Sequence, residues 1–318
     1  SQKKIAAILT KRFLKKTGHL LSGMKNQIRN VWGKEIIMQK TYKKYFPIFV
    51  LPTLIAFIIS FVIPFFMGLY LSFCNFKTIG SAKFTGLSNY LYVFSDTKGF
   101  LSALWFTVKI AVVGVVSTNV LAFALALLLT KGLKGTNVYR TIFFMPNLIG
   151  GIILGYIWQL LLNGILIRLV GADLTYSATY GYWGIIILYN WQKIGYLFII
   201  YIAGIQSISG DILEAAKIDG ANYIQTLKNI IIPLVMTSIT TCTFLALTDC
   251  FKMYDQNLAL TGGAPADQTT MLAMDIYNTY YNRTGFAGVG QAKAVVFTIL
   301  VLVIALIQLR ATQSKEAA

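Results

Sequence analysis

Long apolar runs alternate with polar connections along the chain. Six of them are long enough to cross a membrane as helices: residues 46–73, 104–130, 141–163, 183–207, 230–252 and 290–310. A helix needs about 20 apolar residues to cross a hydrocarbon core of roughly 30 Å, so the pattern predicts an all-α membrane protein with six transmembrane helices. Pro52, Pro64, Gly114, Pro146, Gly155 and Gly195 fall inside these runs. Bundled spans tolerate such residues because neighbouring helices satisfy the freed backbone groups. The first long run comes too late and is too long for a cleavable signal.

Composition agrees with this pattern. The 318 residues are 56% apolar and only 12% charged, against roughly 25% charged in soluble domains. A disordered chain, a disulfide scaffold and a secreted enzyme are thereby excluded. The net charge of +17 is uneven, since residues 1–45 hold twelve Lys or Arg against the single acid Glu35. That basic run leads straight into an apolar stretch, which favours anionic membrane lipid over nucleic acid as its partner. Ile5, Leu9, Phe13, Leu20, Met24, Ile28 and Trp32 recur near helical spacing, as in a basic amphipathic helix lying on the inner leaflet. Gly18, Gly23 and Gly33 favour a mobile tail instead, and both readings stay open. With six spans, Lys131, Lys134, Arg140, Arg310 and Lys315 share the side of the basic tail, so both termini are expected in the cytoplasm. The expected organisation is a basic tail at 1–45, a six-helix domain at 46–310 and a short C-terminus at 311–318.

No set of residues points to catalysis. The only histidine is His19, and Cys74, Cys242 and Cys250 have neither CxxC nor other metal-ligand spacing. The chain lacks G-x-x-x-x-G-K-[ST], the loop whose backbone cradles nucleotide phosphates. It is therefore expected to hydrolyse no ATP and to be a non-catalytic membrane subunit.

The informative stretch is loop 208–229, between spans four and five. Asp211, Glu214 and Asp219 against Lys217 and Lys228 give it a net charge of −1, which breaks the positive-inside trend. Its residues describe a helix, a sharp turn and a second helix. Asp211 with Glu214 is expected to cap the first in the manner of a capping box. Ala215 and Ala216 leave a small face, and Asp219-Gly220 forms the turn, Gly supplying the left-handed conformation.

Residues 214–233, EAAKIDGANYIQTLKNIIIP, resemble the EAA loop of permease subunits in bacterial binding-protein-dependent ABC importers. Glu214, Ala215, Ala216, Asp219, Gly220, Ala221, Ile230 and Pro233 match its pattern, and Leu227 replaces the usual Phe. The resemblance extends over most of 46–310. FPIFVLPTLIAFIISFVIPFFMGLYLSF (46–73), FTGLSNYLYVFSD (84–96), RTIFFMPNLIGGIILGYIWQLLLN (140–163) and FKMYDQNLALTGGAP (251–265) are similar to the maltose-type and multi-sugar branch. It implies a type I ABC importer permease fold, a second homologous permease subunit, two ATPase subunits that bind ATP and Mg, and an extracellular solute-binding protein. It also implies that loop 208–229 is the coupling loop, docking in a groove of the ATPase. No cofactor is expected on this chain itself. An ABC permease for another solute, such as glycerol phosphate or a peptide, and an ion-coupled secondary transporter stay open as alternatives.

A solute path leaves polar and aromatic side chains inside apolar spans. Asn190, Trp191, Lys193 and Tyr196 of span four are its expected members, with Asn119, Gln159 and Asp249 from other spans. Lys193 is expected about 15 Å deep, where facing lipid would cost about 2.5–3.5 kcal/mol. Its side chain should therefore face the bundle interior or a water-filled cavity.

Overall fold

The computed structural model describes residues 45–130 and 135–316. The basic tail up to residue 44, with its expected amphipathic helix, lies outside the described residues, as do Lys131 and Lys134. The chain divides into two units, Ser1–Met67 and Gly68–Ala318. Helix α1 (Tyr45–Leu71) starts in the first unit and is long and apolar enough to cross a membrane.

In the second unit, a short hairpin, β1 (Cys74–Asn75) with β2 (Lys83–Phe84), precedes α2 (Ser88–Ser95) and the long α3 (Phe100–Leu129). Then come α4 (Thr136–Phe144), α5 (Gly151–Val170), α6 (Ala178–Gln206), α7 (Gly210–Ile218), α8 (Tyr223–Leu234) and α9 (Met236–Phe251). Two short helices, α10 (Asp255–Leu260) and α11 (Leu272–Tyr277), lead to α12 (Ala287–Glu316). Among the described residues, five helices are long and apolar enough to cross a membrane, or six when the bent pair α8–α9 counts as one span.

Two of the six expected spans differ from a simple crossing. Residues 141–163 are not one helix: α4 ends at Phe144, a 3-10 turn covers Met145–Leu148, and α5 starts at Gly151. Pro146 near the start of that turn has no N–H to donate and clashes with the preceding helical turn, while the extended Ile149 completes the break. The fifth span is bent by 70° between Leu234 and Met236, just after Pro233, where a kink has a covalent cause.

The core lies where α3, α6 and α9 meet. Ile110, Leu188, Tyr189 and Cys250 fill one cluster, and Ala122, Ala126, Phe198, Tyr201, Cys242 and Ala246 fill a second. In this second cluster α3 and α9 contribute the small residues Ala122, Ala126, Cys242 and Ala246, which let helix backbones approach closely in lipid, while α6 contributes the large Leu197, Phe198, Tyr201 and Ile202. The Tyr189 hydroxyl donates to the Ala246 carbonyl at 3.0 Å, so even the largest core ring keeps its polar atom satisfied.

A second buried device ties α12 to its neighbours. Lys293 is fully buried, and its ammonium donates to Asp275 (2.8 Å), Thr279 (2.9 Å) and Asp96 (3.3 Å). The three partners come from α11, the π turn Asn278–Asn282 and the end of α2. Burial pushes the Asp275 carboxyl above its ordinary range, and Lys293 only partly offsets this. Burial acts the same way on Asp96, but there the Lys293 charge and the Gly99 and Phe100 amides outweigh it, leaving that carboxyl below its ordinary range. Lys293→Met would strand two carboxylates. It should destabilise the subunit by about 3–5 kcal/mol, read as a lower unfolding midpoint of the purified assembly, while Asp275→Asn, which keeps Asp96 as counter-ion, loses less.

Candidate functional site

Four consecutive residues of α6 reach four different neighbours, because successive side chains on a helix point about 100° apart. Asn190 turns to α3: its carbonyl oxygen accepts from Thr118 (3.0 Å), and its amide donates to Ser117 (2.9 Å) and to the Ile186 carbonyl (2.8 Å). Trp191 meets Trp158 of α5 edge-on, with ring centroids 5.6 Å apart. Gln192 is buried, donating to the Ile149 carbonyl (3.3 Å) and accepting from Gln256 of α10 (2.9 Å). Lys193 pairs with Asp249 of α9 at 2.9 Å and donates to Asn147 at 3.3 Å.

Lys193 lies midway along the 29-residue α6, so its charge needs a partner inside the bundle. Asp249 is that partner. The pair is not sealed, since the Asp249 side chain keeps 39% of its exposure and Lys193 19%. Asn147 reaches it because the Pro146 turn sits directly on α6, where a methyl group added at Gly195 would overlap the Phe143 carbonyl oxygen. The broken third span thus delivers a polar turn to the middle of α6.

The expected path residues separate into two groups. Lys193 and Asp249 come together, and Trp191 is 43% exposed. Asn190 and Asn119 spend their polar atoms on packing, Asn119 accepting from the Tyr201 hydroxyl (2.6 Å) and donating to the Val115 carbonyl (2.8 Å). Tyr196 packs against the core cluster of Phe198 and Tyr201, and Gln159 is half-buried on α5 beside Trp158. Sequence reasoning missed Asn147 and Gln256 as partners, and also the Lys293 cluster. A lone lysine inside the apolar run 290–310 is a signal that finds the latter.

The segment between α6 and α9 forms a bracket. Ser209, not Asp211, caps α7, its hydroxyl accepting from the Asp211 amide at 3.4 Å. Asp211 lies two residues past the cap, and with Glu214 it instead puts negative charge near the helix N-terminus. At the other end Gly220 has φ of +78°. The Ala221 amide donates to Ala216 and the Gly220 amide to Lys217, a Schellman closure that only a residue without Cβ adopts cheaply. Asn222 and Gln225 then form a reciprocal capping box that starts α8, a signal in the sequence that was overlooked. Glu214, Ala215 and Asp219 are exposed, Ala216 is buried, and Ile218 is 81% exposed at the tip.

Residues 119–313 match the model of the family described as binding-protein-dependent transport system inner membrane component. The chain belongs to that family. It is a membrane-embedded transport permease. Over 277 residues it is 41% identical to the probable starch degradation products transport system permease protein AmyD of Thermoanaerobacterium thermosulfurigenes, covering 85% of this chain and 94% of that one. It is 30% identical over 271 residues to the trehalose/maltose transport system permease protein MalF of Thermococcus litoralis, covering 82% and 91%. Its fold matches that of a bacterial ABC transporter for import of the acidic polysaccharide alginate, with a TM-score of 0.74 over 87% of this chain and 98% of that one at 20% identity. A bacterial alginate ABC transporter in complex with an alginate pentasaccharide-bound periplasmic protein gives 0.73 over 87% of this chain and 97% of that one at 18% identity. The permease fold expected from the sequence is therefore present, and the matched family residues contain both the Lys193–Asp249 pair and the bracket.

The ion pair carries a direct test. Lys193→Met or Asp249→Leu alone leaves one charge orphaned near mid-membrane, a cost of about 2.5–3.5 kcal/mol on insertion scales. The amount of intact subunit in membranes should fall for each single variant and recover in the double variant, in which no charge is left unpaired.

Proposed function

We propose that this permease is one of two membrane subunits of an ATP-driven importer for an oligosaccharide, and that it works by alternating access. The observation that carries this reading is the 41% identity, over nearly the whole of both chains, to a permease named for starch degradation products. In this reading both termini are cytoplasmic, a solute-binding protein delivers the sugar outside, and two ATPase subunits hold ATP and Mg below. The chain itself contributes no catalytic residue.

The site chemistry supports a neutral solute. Lys193 is balanced by Asp249, so the polar layer of α6 carries no net charge to attract a phosphate. The exposed Trp191 ring and the exposed part of the Asp249 carboxylate supply the two things a sugar recognises: an aromatic face for its C–H groups and an acceptor for its hydroxyls.

The bracket suits a coupling role. Its helix is short, and its Gly220 turn is closed by its own hydrogen bonds. Its tip presents Ile218, 81% exposed, an apolar side chain that a partner's groove would cover. Glu214, Ala215, Asp219 and Gly220 form the exposed surface that the ATPase groove would receive, with Ala216 buried beneath it and Ala221 half-buried. Gly220→Val forces a β-branched residue into the left-handed region at about 1–2 kcal/mol. That variant should stay in the membrane with its ATPase partners while sugar uptake into proteoliposomes collapses. Normal uptake at normal abundance contradicts the coupling role.

A further inference from the structure

A cavity of about 410 Å³ lies at the end of α9 away from the bracket, between α11, the π turn Asn278–Asn282 and the first turns of α12. Four tyrosines wall it. Tyr254 and Tyr277 have ring centroids 4.9 Å apart, Tyr277 and Tyr281 4.7 Å, and Tyr280 and Tyr281 4.7 Å, each pair tilted or edge-on. The rest of the lining is small or neutral: Ala273, Ala294 and Gly290, with Ile276 and the Gln291 amide. Tyr277 and Tyr281 are 41% and 67% exposed, so their faces are open to a ligand.

We infer that this tyrosine-walled cavity is a saccharide subsite, separate from the polar layer of α6, which takes a neutral pyranose ring on its way into the membrane. The inference rests on the importer reading above. Its volume falls within the roughly 300–1,000 Å³ of small-molecule sites. Apart from the phenols, the lining has no ionisable group, which disfavours phosphates, peptides and amino acids. Tilted aromatic rings offer several faces for the C–H surfaces of a sugar, while four hydroxyls and an amide supply donors and acceptors for its hydroxyls. Tyrosines that merely anchor a protein at the membrane interface sit in a belt at headgroup level, whereas these pack on one another around a hollow.

The wall is held rigidly from behind. Thr279, in the same π turn as Tyr280 and Tyr281, and Asp275, two residues before Tyr277, are both bonded to the buried Lys293 ammonium. A site whose walls are fixed before the ligand arrives loses less entropy on binding. Its place in the chain also fits a route inward, because Tyr254 follows Asp249, the partner of Lys193, by five residues.

The test uses the purified complete importer without its solute-binding protein, and a linear α-1,4-linked glucose pentamer as probe in saturation-transfer NMR. Wild type should transfer magnetisation to sugar C–H protons. The double variant Tyr277→Ala/Tyr281→Ala should weaken binding by about tenfold, the scale expected for losing two stacked rings. Tyr277→Phe/Tyr281→Phe should keep most of it. No transfer in wild type, or full transfer in the alanine variant, overturns the subsite. Loss of the second permease from the purified alanine variant also overturns it, because the rings would then be a subunit contact. Uptake of labelled pentamer by the wild-type system with binding protein and ATP separates the two levels. Uptake with an indifferent cavity removes only the subsite, whereas no uptake of any oligosaccharide by an intact assembly removes the importer reading.

Discussion

A polar group inside hydrocarbon has no water to turn to, and α6 meets that constraint with a different neighbour for each of four successive residues. Asn190 bonds α3, Trp191 meets α5, Gln192 holds the Pro146 turn and α10, and Lys193 holds α9. Four apolar residues there would let α6 rotate or slide at little cost. With Asn190, Gln192 and Lys193, the α3, α10 and α9 contacts and the Pro146 turn each have one register in which their hydrogen bonds are complete. The bundle is therefore specified by polar contacts, even though apolar residues make up most of its mass.

Two lysines share this logic but differ in consequence. Lys293 is sealed, and its two carboxylates and one hydroxyl lock three elements into one block. Lys193 has one carboxylate and one amide, and its pair keeps part of its exposure. A sealed cluster suits a fixed wall, whereas a pair that keeps part of its exposure is able to exchange partners.

The span count, the helix–turn–helix bracket and its left-handed Gly220 were legible because each depends on local sequence: apolar length, capping types and a residue without Cβ. The apolar run 141–163 concealed a break because hydropathy does not register direction, while Pro146 and the paired glycines at 150 and 151 do. The cap at Ser209 was misassigned by two residues because several adjacent side chains are competent to cap and only the backbone path chooses between them. The polarity of Asn190 and Asn119 within their spans is visible in sequence, whereas the protein partners that they bond in the bundle are not. Lys193 and Asp249 are 56 residues apart in sequence, a separation that only the tertiary fold closes.

The bend beside Val235 also has a mechanical side. Because the 70° change of direction is concentrated within one residue, α8 has the geometry of a lever arm hinged at the start of α9. Its 12 residues span about 18 Å, so a swing of about 10° would carry the Asn222 end through about 3 Å and displace the hinge hardly at all. Such a displacement would reach the helix that carries Asp249 greatly reduced.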